Sequence, residues 1–179
     1  MNPEELSKLT NLIQSGKIVI MPTDTIYGIV GLAKDSEVVE RIYQLKDREH
    51  TKPFVVLISD YSQLSSLGIA IDSEQKQYLG TVWPGPTSVI MPTREMEHLH
   101  RGKRTLAIRM PKDQWLRNLI GQTGPVIATS ANIAGKDYVH DLTDIEATFF
   151  DHVDYISSSE TPATKPSKII DLASKKILR

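Results

Sequence analysis

Short apolar runs, each closed by proline, glycine or a cluster of hydroxyl and amide residues, alternate along this chain with stretches of helical periodicity. The runs cover residues 17–21, 54–58, 88–91, 105–109, 125–129, 153–156 and 168–172, with a last short one at 175–179. Runs of four or five residues match strands, not helices. Between them, apolar residues recur at intervals of three and four: Leu6, Leu9, Leu12 and Ile13, then Val38, Val39, Ile42 and Leu45, then Trp115, Leu116, Leu119 and Ile120. Strands that alternate with amphipathic helices predict an α/β layered fold on a mostly internal, mixed sheet.

The helix ends carry their own signals. Asn2 followed by Pro3 is an N-cap with a first-turn proline. Asp35 or Ser36 caps the second helix, Asp60 opens a short one with Leu64 and Leu67 inward, and Asp113 caps another that Gly121 ends. Asp72 with Gln75, and Thr143 with Glu146, have capping-box spacing. Trp83-Pro84-Gly85-Pro86 cannot be regular structure. Trp83 and Trp115 read as packing residues. Residues 95–104 and 157–166 are polar and read as exposed loops, the two candidates for lids by length and polarity.

Composition narrows the function. The 179 residues suit a single domain, 1–179, large enough to bury a core without staples. A formal net charge of −1 excludes a globally basic surface for nucleic acid but leaves room for a local basic groove. There is no cysteine, hence no disulfide, thiolate nucleophile or cysteine metal site. The five histidines, His50, His98, His100, His140 and His152, lack ligand spacing, and His98 and His100 read as a solvated pair. The acidic N-terminus is unlike a signal peptide, and no apolar run reaches the roughly 18 residues of a membrane span. A soluble cytoplasmic protein is expected.

The densest charge lies at Lys46-Asp47-Arg48-Glu49-His50-Thr51-Lys52-Pro53, between a helix and a strand. By itself this stretch is either a solvated face favoured by the helix dipole or one wall of an anion site. Two polar loops follow strands: Thr23-Asp24-Thr25 and Ser130-Ala131-Asn132. Each alone is an ordinary turn. Together with the cations they outline one cleft with donors for an anion and hydroxyls for a polar substrate. Neither glycine-rich phosphate loop, GxxxxGK[ST] or GxGxxG, is present, nor are GxSxG and HExxH.

Taken in order, Pro22-Thr23-Asp24-Thr25-Ile26-Tyr27-Gly28, Lys46-Asp47-Arg48 with Lys52-Pro53, Trp83-Pro84-Gly85-Pro86, Thr105-Leu106-Ala107-Ile108-Arg109-Met110-Pro111, Thr129-Ser130-Ala131-Asn132 with Gly135, Pro166-Ser167 and Ile177-Leu178-Arg179 resemble the threonylcarbamoyl-adenylate synthase family, the YrdC-like domain. Each motif is weak alone; their order over nearly the whole chain carries the resemblance. It implies a YrdC/RibB-like fold, a twisted mixed sheet with helices around a deep, positively charged cavity. It also implies synthesis of threonylcarbamoyl-AMP and pyrophosphate from L-threonine, bicarbonate or CO2 and ATP. That product feeds the threonylcarbamoyl modification of the adenosine 3′ of the anticodon in tRNA.

By the same resemblance, Lys46, Arg48, Ser130 and Asn132 are the catalytic quartet. Arg48, Lys52, Thr105, Asn132 and Arg179 bind ATP, and Thr25, Arg109, Ser130 and Ser167 bind threonine. Mg2+ is expected on the ATP phosphates, with no protein ligand. The expected partners are the transferase machinery that modifies tRNA, with weak contact to RNA itself and none to a membrane. The chain departs from the family at Leu57, where many members have histidine, at Lys112-Asp113, at Ala134 and at Lys168. The longer members' second domain is not expected here. Two other readings remain: a non-catalytic RNA-binding module, and a paralogue that adenylates a different small substrate.

Overall fold

The computed structural model describes residues 1–136, 141–159 and 165–179. His140 and part of the polar stretch 157–166 lie outside the described residues. In chain order the elements are helix α1 (Pro3–Gln14), strands β1 (Val19–Met21) and β2 (Gly28–Leu32), helix α2 (Ser36–Leu45), strand β3 (Val55–Leu57), a 3-10 helix (Tyr61–Leu67) and helix α3 (Ser73–Leu79). There follow strand β4 (Thr87–Pro92), helix α4 (Glu97–His100), strand β5 (Thr105–Arg109), helix α5 (Gln114–Thr123), strand β6 (Val126–Ser130), helix α6 (Leu142–Phe149) and strands β7 (Tyr155–Ile156) and β8 (Lys168–Asp171).

Local chemistry starts the helices. The Asn2 side chain accepts from the Glu5 amide at 2.8 Å, and Asp35 accepts from Glu37 and Val38. Asp72 and Gln75 close a reciprocal capping box. Two helix limits differ from the sequence reading. Asp141 caps α6, accepting from the Thr143 amide at 2.7 Å, so Thr143 is already inside the helix. α5 runs through Gly121 to Thr123, because Leu116, Leu119 and Ile120 keep it seated on the core at the modest propensity cost of one glycine.

The strands form one mixed sheet in the order β7-β1-β2-β6-β3-β5-β4-β8. β1–β7, β3–β5 and β4–β8 pair in parallel; the other neighbours are antiparallel. The sequence reading missed β2, a fully buried run interrupted by glycine. Gly31 is there because α2 lies on top of it. A Cβ at Gly31 would overlap Val38 Cγ1 and stand 3.1 Å from Ile42 Cδ1. The expected last strand at 175–179 is not a full strand. It folds back along β8 through an isolated bridge between Ile170 and Ile177, with the Leu178 amide on the Ile169 carbonyl and the Ile169 amide on the Arg179 carbonyl.

Period-two alternation divides the sheet into two faces. Leu106, Ile108, Val56, Ile127 and Ile29 enter a large core with α2, α3, α4, α6 and the 3-10 helix. On the other face, α1 and α5 cover Val19, Met21, Val30, Leu32, Leu57 and Val126. Leu57, one of the departures noted above, is fully buried there beside Leu116, Leu119 and Ile120. The rest of that face has no helix over it and floors a cavity.

Residues 95–104 are an exposed loop only in part: Glu95, Glu97 and Gly102 to Arg104 are exposed, but a short helix interrupts the stretch. α4 buries Leu99 and His100, His98 Nε2 lies 2.8 Å from the Ala33 carbonyl, and Arg101 pairs with Glu40 over the Tyr43 ring. His98 and His100 are therefore structural, not a solvated pair. Apolar Leu99 and the ion pair to α2 outweigh the polarity of the segment. Gly31→Ala should lower unfolding stability by about 1–3 kcal/mol through overpacking against α2, read from the urea midpoint.

Candidate active site

A cavity of about 660 Å³ opens over the uncovered face of the sheet. Its floor is Val55, Ala107 and Ala128, which face one another across β3, β5 and β6, with Ile90 and Ile169 beyond. The two alanines keep the floor low. The same alternation that buries Leu106 and Ile108 turns Thr105, Ala107 and Arg109 into the cavity.

Eight of the ten residues chosen from sequence line this cavity: Thr25, Arg48, Thr105, Arg109, Ser130, Asn132, Ser167 and Arg179. Strand register orders them. Val55 pairs with Ala107 and with Ala128, so one end of the cavity gathers Pro53, Thr105 and Ser130. Arg109, four residues along β5, is about 13 Å away at the other end.

At the Arg109 end the guanidinium is 4% exposed. It donates to Thr25 Oγ1 at 2.9 Å and lies 3.2 Å from the Asp24 carboxylate. Asp24 also accepts from the Lys112 amide at 3.0 Å. Burial pushes the Asp24 carboxyl above its ordinary value, and Arg109 opposes that rise. Burial lowers Arg109, which remains charged. Arg109 Nε is buried and, among the described residues, has no hydrogen-bond partner. Ser167 is held by Ser88, Oγ to Oγ at 3.0 Å.

At the other end, α2 closes in a Schellman turn. Lys46 is the C-cap, Asp47 takes a left-handed φ of 48°, the Asp47 amide bonds to Gln44, and the Arg48 amide reaches back to Tyr43. Asp47 was expected only as a solvated side chain; its backbone makes the turn. The reversal sends Lys46 and Arg48 to different places. Arg48 faces the cavity, braced by donation to the Lys52 and Pro53 carbonyls at 2.8 and 3.2 Å and by the Phe54 ring.

Lys46 does not reach the cavity. It is 1% exposed, and its ammonium is inserted behind the opposite wall. There it donates to the Ser130 carbonyl at 2.6 Å, to Asn132 Oδ1 at 3.2 Å and to the Asn132 carbonyl. Three donors meet three acceptors. Asn132 is saturated in turn: Oδ1 also accepts from Ser130 Oγ at 2.5 Å, and Nδ2 donates to the Ile133 and Lys136 carbonyls.

Lys52 does not line the cavity either. Its ammonium is exposed and paired with Glu49 at 2.8 Å. The expected wall of three cations thus reduces to Arg48, because the turn at Asp47 and the local pair with Glu49 direct the other two elsewhere.

Two lining cations were missed in the sequence: Lys103, just before β5, and Lys136, after the Ser130–Asn132 turn. Lys103 was hidden in a segment read as exposed loop, and Lys136 follows Gly135 without a motif of its own. With them the described lining holds five cations, Arg48, Lys103, Arg109, Lys136 and Arg179, and among the described residues no carboxylate or histidine side chain. Arg179, which donates to the Ser167 carbonyl at 3.2 Å, depresses both Arg48 and Arg109 by like-charge repulsion. An anion between them relieves that repulsion. Among the described residues no group of three or more His, Cys, Asp or Glu side chains could hold a metal.

A family model described as "Telomere recombination", covering Sua5, YciO and YrdC, matches residues 11–179. The threonylcarbamoyl-AMP synthase of Pyrococcus abyssi is 32% identical over 89% of this chain and 48% of its own length. A putative threonylcarbamoyl-AMP synthase of Methanocaldococcus jannaschii is 31% identical over 99% of this chain and 87% of its own length. The crystal structure of P. abyssi Sua5 complexed with L-threonine superposes with a TM-score of 0.89 at 30% identity, covering all of this chain and 54% of that one. The chain spans about half the length of the P. abyssi protein.

Lys46→Met should cost about 2–4 kcal/mol by leaving the carbonyls of the Ser130–Asn132 turn without a donor. Burial and Arg48 lower the Lys46 ammonium from the ordinary 10.5 to about 7. Unfolded chain therefore binds this proton in a window, about 7 to 10.5, where folded chain has released it. Stability from this group rises with pH across the window. Urea unfolding at pH 7 and 9.5 should show wild type gaining stability relative to Lys46→Met.

Proposed function

Because the chain belongs to the Sua5/YciO/YrdC family, we propose that it is an L-threonylcarbamoyladenylate synthase, a nucleotidyltransferase that joins L-threonine, CO2 or bicarbonate and the AMP moiety of ATP. One observation carries the reading. Eight residues chosen from sequence motifs line a single cavity, with the Arg109 guanidinium at one end of β5 and Arg48 braced beside Pro53 toward the other. The product, threonylcarbamoyl-AMP, then serves the machinery that modifies the adenosine 3′ of the anticodon in tRNA.

Arg109 suits the threonine carboxylate. A guanidinium forks onto a carboxylate, and Arg109 is the guanidinium that lines this end of the cavity. Thr25 and Ser167 supply hydroxyls beside Arg109, and Ser130, at the far end of β6, meets the threonine on the side that faces the nucleotide. ATP takes the other end, with Arg48 toward phosphate and Thr105 and Asn132 beside the nucleotide, while Arg179, whose charge acts on both Arg48 and Arg109, serves the phosphates from between the two ends. The amine nitrogen attacks the carbon of CO2, giving a carbamate and releasing a proton. A carbamate oxygen then attacks the α-phosphorus, and the bond to the bridging oxygen breaks as pyrophosphate leaves. The protein's part is positioning and charge neutralisation. Lys46 contributes by fixing the Ser130–Asn132 wall, not as a phosphate contact. Mg2+, expected on the ATP, would neutralise phosphate charge.

Pyrophosphate release should require L-threonine, bicarbonate and ATP together. Arg48→Ala, checked for an unchanged melting profile, should slow it on the order of 10²-fold or more. Release without threonine, or wild-type turnover in the variant, would refute the assignment. Retention of RNA with no adenylate formed would favour the binding-module reading. Thermal stabilisation by another amino acid in preference to threonine would point to a paralogue.

A further inference from the structure

Resting on the adenylation reading, we propose that Lys103 and Lys136 form a clamp for the β- and γ-phosphates of ATP, the group that leaves as pyrophosphate. Neither residue belongs to the motifs that identify the cavity. The argument begins from a charge deficit. Of the three clustered cations in 46–52, Lys46 is held by backbone carbonyls and Lys52 lies outside the lining, in an exposed pair with Glu49. Arg48 alone is left from that stretch, and a triphosphate carries more charge than one guanidinium balances.

Sheet register shows what replaces the missing cations. β6, β3 and β5 are adjacent. Their registers bring Ser130, Pro53 and Thr105 to the same end. Each strand end delivers one cation that lines the cavity. Arg48 is fixed to the Pro53 carbonyl beside β3, Lys103 lies two residues beyond Thr105 of β5, and Lys136 lies in the turn beyond Ser130 of β6. All three follow or precede the strand ends that lie opposite the Arg109 end of β5. An amino acid held at Arg109 and an α-phosphate between the two ends leave the terminal phosphates among these three cations.

The backbone on both sides is anchored while the ammonium groups remain solvent-accessible. The Lys103 amide bonds to the His100 carbonyl at 2.8 Å, and the Lys136 carbonyl accepts from Asn132 Nδ2 at 2.6 Å. Among the described residues no carboxylate side chain lines the cavity to compete for them. Both side chains are exposed, so truncation leaves the fold intact. Lysine fits this task as a mobile point charge that can follow a departing pyrophosphate.

Calorimetric titration of ATP and of AMP into wild type, Lys103→Ala, Lys136→Ala and the double variant at low salt tests the clamp. ATP should weaken about 5-fold in each single variant and about 20-fold in the double variant, while AMP changes less than about twofold. The ATP difference should shrink as salt is raised. Unchanged ATP affinity in the double variant overturns the clamp, and so does an equal loss for ATP and AMP. Weakened retention of tRNA with ATP unaffected overturns it in favour of a nucleic-acid contact. Wild type that binds neither nucleotide refutes the adenylation reading itself, an outcome separate from failure of the lysines alone.

Discussion

The ammonium of Lys46 is the contact on which the shape of the cavity depends. It leaves the C-terminal end of α2, crosses under the sheet's open face and fills the space behind the Ser130–Asn132 turn. A buried ammonium is costly unless its donors are met, and here three oxygens meet them. In return the turn has its carbonyls satisfied and its Asn132 carboxamide fixed from both ends. The wall that faces the ligand is therefore set before any ligand arrives, the condition that electrostatic catalysis requires.

One residue of left-handed backbone makes this possible. Asp47 reverses the chain between Lys46 and Arg48, so the helix exit provides a strut on one side and a cavity cation on the other. Arg48 then depends on the carbonyls of Lys52 and Pro53, the residues that lead into β3. Helix α2, the loop and the central strand are thus coupled through a few polar contacts. Their geometry is shared by the Ser130 wall and the cationic end.

Sheet alternation supplies the rest. The run Thr105-Leu106-Ala107-Ile108-Arg109 reads as one strand, yet its odd and even positions have opposite duties. Small side chains at Ala107 and Ala128 leave volume where larger ones would fill it. α1 and α5 stop short of these positions, and Leu57 closes the covered half. Arg109 and Asp24 occupy the boundary as a buried pair.

Much of the fold was legible locally. Asn2, Asp35, Asp60 and Asp72 cap the elements they were expected to cap, because capping needs only residues within one turn. β2 was not legible, since Gly31 reads as a break until α2 is placed on it. Nor was α4, whose polar sequence is outweighed by Leu99 and by an ion pair to α2. In the site, residue chemistry and motif order identified most of the lining, but not which charges face inward. By itself the sequence determined the alternating elements, their caps and the residue types available for an anion and a hydroxyl-rich substrate. The tertiary structure alone decided that Lys46 is a strut, that Lys52 stays outside and that Lys103 and Lys136 join the lining. Those outcomes depend on a backbone reversal and on strand registers between segments distant in the chain, which local propensity does not encode.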